Sequence, residues 1–141
     1  MSPRRPVGLL DTSTVILLAR LGNAEQLPLE PLISSITLAE LSVGPLIATS
    51  DAERAARQAH LQQAEADFEP IPFDSRAARA FGQVSADLRA AGRKTKARAY
   101  DALIAAIAIA NELPLFSVNP SDFQGISALD LVPIDHPDAG E

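Results

Sequence analysis

Short apolar runs alternate with helix-forming segments along this chain, and this alternation restricts the possible folds more than any other feature of the sequence. We predict strands over the runs 7–10, 32–36, 69–73, 115–118 and 129–134. Capping and stop signals predict helices from Thr12 to about 22, from Thr37 to about 44, and over 51–67, 75–91 and 100–113. Short strands separated by helices favour an α/β fold around a mostly parallel sheet. We expect a single domain over 1–141, in which 135–141 form a tail.

The composition excludes several classes of protein. The chain contains no cysteine, so it can form neither a disulfide framework nor a thiolate zinc site. Its apolar fraction of 47% with only 4% aromatic residues is typical of a folded domain with an aliphatic core. The most apolar helical stretch, 102–110, is far shorter than the roughly 20 residues that span a bilayer. Asp11 interrupts the N-terminal apolar run, which is too short for a signal peptide, so we predict a cytoplasmic protein.

The charges are unevenly distributed. A formal net charge of -6 is unusual for a protein that binds nucleic acid, because phosphate contacts favour basic surfaces. Five of the twelve cations nevertheless lie close together before the acidic C-terminal third, at Arg89, Arg93, Lys94, Lys96 and Arg98. This segment is either a solvated helix face and loop, or a patch that guides phosphates beside a metal-binding acidic centre.

Four acidic residues are candidates for a functional site. Asp11, Glu40 and Asp101 lie in otherwise apolar stretches, and Asp122 follows a predicted strand. In an open parallel sheet, ligands gather outside the carboxyl ends of the strands, and the helices that start there could bring all four acids together. Converging acids without matching cations would repel one another and have raised pKa values, a conflict that a bound divalent metal resolves.

Each of these acids also has a purely structural explanation. Asp11 could cap the first helix, and Glu40 could complete a capping box with Thr37. Asp101 could complement the dipole of its helix, and Asp122 could close a turn.

The available ligand types favour a hard metal ion. An all-oxygen set of donors selects Mg²⁺ or Mn²⁺. The two histidines, His60 and His136, do not have the spacing of a zinc site. One or two metals held by carboxylates would activate a water and stabilise the leaving oxygen of a phosphodiester, without a covalent nucleophile or a catalytic triad.

Four short motifs follow one another along the chain: LLDTS at 9–13, TLAEL at 37–41, YDALIAAIA at 100–108 and FSVNPSDF at 116–123. In their order and approximate spacing they resemble the motifs of PIN-domain nucleases, and within that family those of the VapC toxins. The resemblance extends over essentially the whole chain. Ser117 stands where the family usually has threonine, and it keeps the hydroxyl group.

The resemblance implies a PIN-like three-layer α/β/α sandwich with Mg²⁺- or Mn²⁺-dependent endoribonuclease activity on an RNA such as tRNA, rRNA or mRNA. It also implies a homodimer and a cognate VapB-like antitoxin, which would insert a basic side chain, such as arginine, among the carboxylates. By position, the metal-binding and catalytic acids would be Asp11, Glu40, Asp101 and Asp122, and Asn119 is an alternative to Asp122 in the fourth position. The supporting residues would be Thr12 or Ser13, Ser117 and Asn119.

Other classes of protein fit the sequence less well. A catalytically silent PIN-like module that binds RNA or protein is the main alternative, and the intact set of acids argues against it. A phosphatase with a strand-end aspartate nucleophile would need Asp-x-Asp, whereas Ser13 stands at the second position after Asp11. A receiver domain would need an acidic pair near the first strand, and a P-loop would need a motif that the chain lacks.

Overall fold

The structure, a computed structural model, describes residues 4–94 and 98–138 of the chain. Four strands form one sheet in the order β2-β1-β3-β4, and every neighbouring pair is parallel. The strands are β1 (Val7–Leu10), β2 (Glu30–Leu32), β3 (Leu115–Ser117) and β4 (Leu131–Pro133). The predicted α/β fold around a parallel sheet is confirmed.

Five α-helices accompany the sheet within the described residues: α1 (Thr12–Leu17), α2 (Ser35–Val43), α3 (Asp51–Asp67), α4 (Ser75–Ala90) and α5 (Ala99–Ala110). The first four begin where a side chain accepts a hydrogen bond from a free backbone N–H of the first turn. These caps are Asp11, Ser34, Ser50 and Asp74. The predicted starts of α3 and α4 are therefore confirmed.

The second strand and the helix after it lie earlier in the chain than predicted. β2 covers Glu30–Leu32 instead of 32–36, and α2 begins at Ser35 instead of Thr37. The cause is Ser34, whose hydroxyl accepts a hydrogen bond from the Thr37 N–H at 3.2 Å and so starts the helix two residues earlier. Pro31 is tolerated in β2 because that strand lies at the edge of the sheet.

Other predicted elements are shorter in the structure. The segment 69–73 forms only an isolated bridge between Ile71 and Ser34, because the flanking prolines lack the N–H groups that would extend a ladder. α1 ends at Leu17 and continues as a 3-10 turn over Leu18–Arg20. The last strand covers Leu131–Pro133 instead of 129–134. Of the tail predicted over 135–141, residues 139–141 lie outside the described part of the chain.

α5 lies at the centre of the fold, as its apolar sequence predicts. Six of its residues between Ala102 and Ala108 are fully buried, and the helix packs along α4. It ends earlier than predicted, because the Asn111 side chain donates to the Ile107 carbonyl at 2.8 Å and Glu112 adopts a left-handed φ of 53°. Within residues 4–94 and 98–138, no helix is long and apolar enough to cross a membrane.

Both faces of the sheet are buried. Leu9 and Leu115 pack with α4 and α5 on one face. Leu10 and Phe116, their neighbours in β1 and β3, pack on the other face, where Val15 of α1 also lies. Successive residues of a strand point to opposite faces, so this arrangement gives the three layers of an α/β/α sandwich.

Candidate metal centre at the carboxyl edge of the sheet

Asp11 lies at the junction between β1 and α1 and is only 3% exposed. One carboxylate oxygen accepts a hydrogen bond from the Thr14 N–H at 3.1 Å and another from the Thr14 hydroxyl. The second oxygen accepts from the Ser117 hydroxyl at 2.7 Å. Asp11 therefore does cap α1, and the same carboxylate stands at the edge of the sheet where ligands gather.

The hydroxyls around Asp11 also join the ends of β1 and β3. The Thr14 hydroxyl oxygen accepts from the Val118 N–H at 3.1 Å, and the Ser117 hydroxyl oxygen accepts from the Asn119 N–H at 2.9 Å. The hydrogen of each hydroxyl is thereby directed toward Asp11. Burial raises the pKa of Asp11 above its ordinary value, while the hydrogen bonds from Thr14 and Ser117 oppose that rise.

Glu40 is held by α1 and not by the start of its own helix. The Thr12 hydroxyl donates to Glu40 Oε1 at 2.7 Å and lies 2.9 Å from the Thr37 hydroxyl. The capping-box explanation for Glu40 is therefore wrong, because Ser34 caps α2. Burial raises the pKa of Glu40; the Thr12 hydrogen bond opposes this effect, and the charge of Asp11 adds to it.

Asp101 lies in the first turn of α5, where a negative charge complements the helix dipole. Burial raises the pKa of Asp101 to about 6, and the charges of Asp122, Asp11 and Glu40 add to that rise. All three other acids thus act on Asp101 through their charge. Four motifs that are far apart in sequence therefore meet in one region of the fold.

Asp122 is paired with a cation, contrary to the expectation that the acids lack one. It lies in the 3-10 turn Pro120–Phe123 after β3, and Arg98 Nη1 donates to its Oδ1 at 2.7 Å. The same guanidinium nitrogen lies 3.9 Å from Asp101 Oδ2 and opposes the rise in the pKa of Asp101. Charge repulsion in the cluster is therefore partly balanced by the chain itself.

The other predicted site residues have mixed surroundings. Arg93 Nη1 donates to the carbonyl oxygens of Ser121 and Gln124 at 2.8 and 3.0 Å, so this guanidinium fastens the turn that carries Asp122. Arg89 and Lys94 are exposed, and Lys96 lies outside the described residues. Within the described residues, no hydrogen bond of the Ser13 side chain is found, and Asn119 contributes its N–H to Ser117.

Two threonines that hold the site were not predicted as site residues. Thr14 and Thr37 are fully buried, and their hydroxyls contact Asp11 and Thr12 respectively. The signal for Thr14 is its position three residues after a capping aspartate, where the side chain can fold back on the cap. Thr37 has no such signal, because its partner Thr12 lies 25 residues away.

The donors at this edge fit a hard divalent cation by their chemistry. They are carboxylate and hydroxyl oxygens, the groups that Mg²⁺ and Mn²⁺ prefer. In the described ranges, no three acidic or histidine side chains are gathered tightly enough to enclose an ion. The guanidinium of Arg98 already lies beside two of the carboxylates, which indicates that the cluster attracts positive charge.

Comparison with known proteins places the chain in a family. The PIN domain family matches residues 9–129, which include all four acids. Ribonuclease VapC5 of Mycobacterium tuberculosis is 36% identical over 119 residues, which cover 83% of this chain and 86% of that relative. The chain belongs to the PIN-domain family, and within it to the VapC proteins.

Solved structures agree with this assignment. VapBC-5 from Mycobacterium tuberculosis, a member of the VapBC family of toxin–antitoxin systems, superimposes with a TM-score of 0.78 at 34% identity and covers 92% of this chain and 99% of its own. VapBC2 from Rickettsia felis, solved bound to a DNA fragment from its promoter, gives a TM-score of 0.72 at 26% identity with the same coverage. The predicted PIN-like fold is therefore confirmed.

Proposed function

We propose that this protein is a Mg²⁺- or Mn²⁺-dependent endoribonuclease and the toxin of a toxin–antitoxin pair, formed by one PIN domain over 1–141. The observation that carries the proposal is the electrostatic grouping of the four acids: Arg98 contacts both Asp101 and Asp122. Burial raises the pKa of Asp101 to about 6, and the charges of the other three acids add to that rise. The similarity to a VapC ribonuclease supports RNA as the substrate. The metal would be held by Asp11, Glu40, Asp101 and Asp122.

The residues of the chain have distinct tasks in this reaction. A bound metal would supply an activated water and stabilise charge on the leaving oxygen of the phosphodiester. Ser117 and Thr14 orient the Asp11 carboxylate, and Thr12 orients Glu40. Because the pKa of Asp101 is about 6, its carboxylate is mostly ionised at neutral pH and can serve as a ligand.

The basic residues before α5 would guide the RNA backbone toward the acids. Arg89 and Lys94 are exposed and can reach phosphates directly. Charge reversal of both should weaken RNA binding and flatten its dependence on salt, because fewer counterions would be released. Binding that keeps its strength and its salt slope would reject this patch. Single-stranded loops are the expected targets, since bases in an RNA duplex are hard to read.

RNA cleavage by the purified, antitoxin-free protein tests the proposal. Total bacterial RNA is incubated with Mg²⁺ or with EDTA, using the wild type, Asp101→Asn and Asp130→Asn. Asp130 is a matched control, because it also pairs with an arginine, Arg5. This pair lies at the amino ends of the strands, away from the four acids. We expect discrete, metal-dependent cleavage that only Asp101→Asn abolishes. The silent module would be favoured if the RNA stays intact although the protein is folded and binds Mg²⁺, and if expression of the protein does not arrest growth.

The antitoxin would bind in a groove between α1 and α3. Two adjoining cavities, of about 250 and 300 Å³, share Ile16 and His60 in their lining. One of them reaches Glu40 and Thr12, and the other reaches Phe68. An amphipathic helix or arm could therefore lay apolar side chains along the groove and direct a basic side chain toward the acids. The neighbouring structures named as VapBC complexes support a VapB-like partner.

Substitution in this groove separates the antitoxin from the chemistry. Ile16→Glu should weaken co-purification with the antitoxin while RNA cleavage persists, because Ile16 is 39% exposed and is not one of the acids. Leu29→Glu is the matched control, since Leu29 is 63% exposed and lines neither cavity. Equal effects of the two variants would reject the groove.

The homodimer is tested by sedimentation of the purified protein.

A further inference from the structure

Arg98 brings a positive charge into the acidic cluster. Its Nη1 donates to Asp122 Oδ1 at 2.7 Å and lies 3.9 Å from Asp101 Oδ2. In the part of the chain that the structure describes, no other cation forms an ion pair with any of the four acids. The Arg98 side chain is 35% exposed, so it can turn toward solvent.

Asp122 does not depend on Arg98 alone for its position. Arg93 holds the backbone of the same turn through the carbonyl oxygens of Ser121 and Gln124. The turn also packs into the core through Phe123, which is 1% exposed. The contribution of Arg98 to this turn is therefore mainly its charge and its hydrogen bond to the carboxylate.

A guanidinium and a divalent ion compete for the same carboxylates. Arg98 occupies lone pairs of one Asp122 oxygen, and a metal held by the same carboxylate would need oxygen lone pairs as well. Two cations held by neighbouring carboxylates also repel each other, more strongly in a partly buried site than in bulk water. Binding of a metal by Asp101 and Asp122 must therefore weaken the contact between Arg98 and Asp122.

We propose that Arg98 is an internal competitor of the divalent metal, which holds Asp122 in the metal-free protein and is displaced when the ion binds. This inference rests on the metal site proposed above. It gives Arg98 two effects of opposite sign. The guanidinium stabilises the metal-free fold by offsetting repulsion among the acids, and it lowers the affinity of the site for the metal.

Calorimetric titration of the full chain with MgCl₂ and MnCl₂ tests this proposal. Arg98→Gln should bind both ions more tightly, by about two- to fivefold, the range expected when a partly exposed ion pair and its charge are removed. Arg98→Lys keeps the charge and should remain close to the wild type. Arg5→Gln is the matched control, because Arg5 forms a 2.8 Å pair with Asp130 away from the acidic cluster.

A double-mutant cycle locates the competition at Asp122. In an Asp122→Asn background, Arg98→Gln should produce a much smaller gain in metal affinity, because the contested carboxylate is already gone. A gain of the same size in both backgrounds would overturn the role assigned to Asp122. Thermal unfolding adds an independent measurement: without metal, Arg98→Gln should melt below the wild type, and Mg²⁺ should raise its melting temperature by the larger amount.

The possible failures are distinguishable. Weaker or unchanged metal binding by Arg98→Gln, with binding by the wild type that requires Asp11, would overturn the competition and leave the metal site standing. If the wild type binds no divalent ion, or if Asp11→Asn binds as well as the wild type, the proposed metal site itself is refuted.

Discussion

The two halves of the acidic cluster are stabilised by different chemistry. Asp11 and Glu40 accept hydrogen bonds from neutral hydroxyls, which orient a carboxylate and leave its full charge in place. Asp122 and Asp101 lie beside the guanidinium of Arg98, which partly neutralises them. In the proposed metal site, Asp11 and Glu40 would therefore offer their full charge to the ion, whereas Asp101 and Asp122 would have to exchange the guanidinium of Arg98 for it. The affinity of the site should depend most on the first half.

The largest expected effect follows from removing the charge of Asp11. Asp11→Asn retains the cap of α1, because asparagine is as good a cap as aspartate, but it removes the buried negative charge that we propose binds the metal. Metal affinity and RNA cleavage should fall by at least about a hundredfold, beyond the loss typical of supporting residues. Asp122→Asn should lose about tenfold or less, since Arg98 already takes part of its charge. If Asp11→Asn and Asp122→Asn lost equal amounts of metal affinity and of cleavage activity, the division into two halves would be contradicted.

Ser117→Ala should have the next largest effect. It removes the 2.7 Å hydrogen bond to Asp11 and the acceptor of the Asn119 N–H, at a fully buried position. Metal affinity should fall by about 10- to 100-fold, and the free energy of unfolding by about 1–3 kcal/mol. Titration calorimetry and urea unfolding measure the two quantities. Ser117→Thr keeps the hydroxyl and should retain most of the affinity; a loss as large as that of alanine would mean that packing, and not the hydroxyl, matters here.

Asp101 gives the site a dependence on pH. Its ordinary pKa of 3.8 is raised to about 6 in the metal-free fold, first by burial and then by the neighbouring acids. The stability that the protonated group contributes is therefore complete below about 3.8 and is lost as the pH rises through about 6. Metal binding follows the opposite direction, because the ion must displace the proton.

Metal titration between pH 5 and pH 8 measures this effect. The affinity for Mg²⁺ should rise by up to about tenfold per pH unit below about 6 and level off above about 7, as expected for competition with one proton. In Asp101→Asn the dependence on pH should be shallower, although the raised pKa values of Asp11 and Glu40 leave a remainder. An affinity that is constant over this range would show that Asp101 is already ionised at pH 5.

The parallel sheet, the central helix α5 and the four acids could be predicted from the sequence because their signals are local. An apolar run that ends at Asp11, or a helix that begins beside Asp101, is visible in a short window of residues. The predicted start of α2 is two residues too late because Ser34 and Thr37 are both good caps, and in the structure the Ser34 hydroxyl accepts from the Thr37 N–H and starts the helix.

The partners of the acids could not be predicted, because they depend on contacts between distant segments. Thr12 reaches Glu40 across 28 residues, and Ser117 reaches Asp11 across 106. The basic run predicts Arg98 to be either a solvated residue or one that guides phosphates. Its contact with Asp122, 24 residues away, required the fold.

The smallest effect is expected for the hydroxyl that supports Glu40. Thr12→Val removes the 2.7 Å hydrogen bond to Glu40 and the 2.9 Å contact with the Thr37 hydroxyl, while it keeps the shape of the side chain. Because Thr12 and Glu40 are only half-buried, water can replace part of the lost interaction, which it cannot do at the buried Ser117. Mg²⁺ affinity should therefore fall by only about twofold to fivefold. The lost hydrogen bond normally lowers the pKa of Glu40, so the loss of affinity should be larger at pH 6 than at pH 8. Titrations at these two pH values measure the loss, and a decrease as large as that of Ser117→Ala would mean that Glu40 is as dependent on its hydroxyl as Asp11.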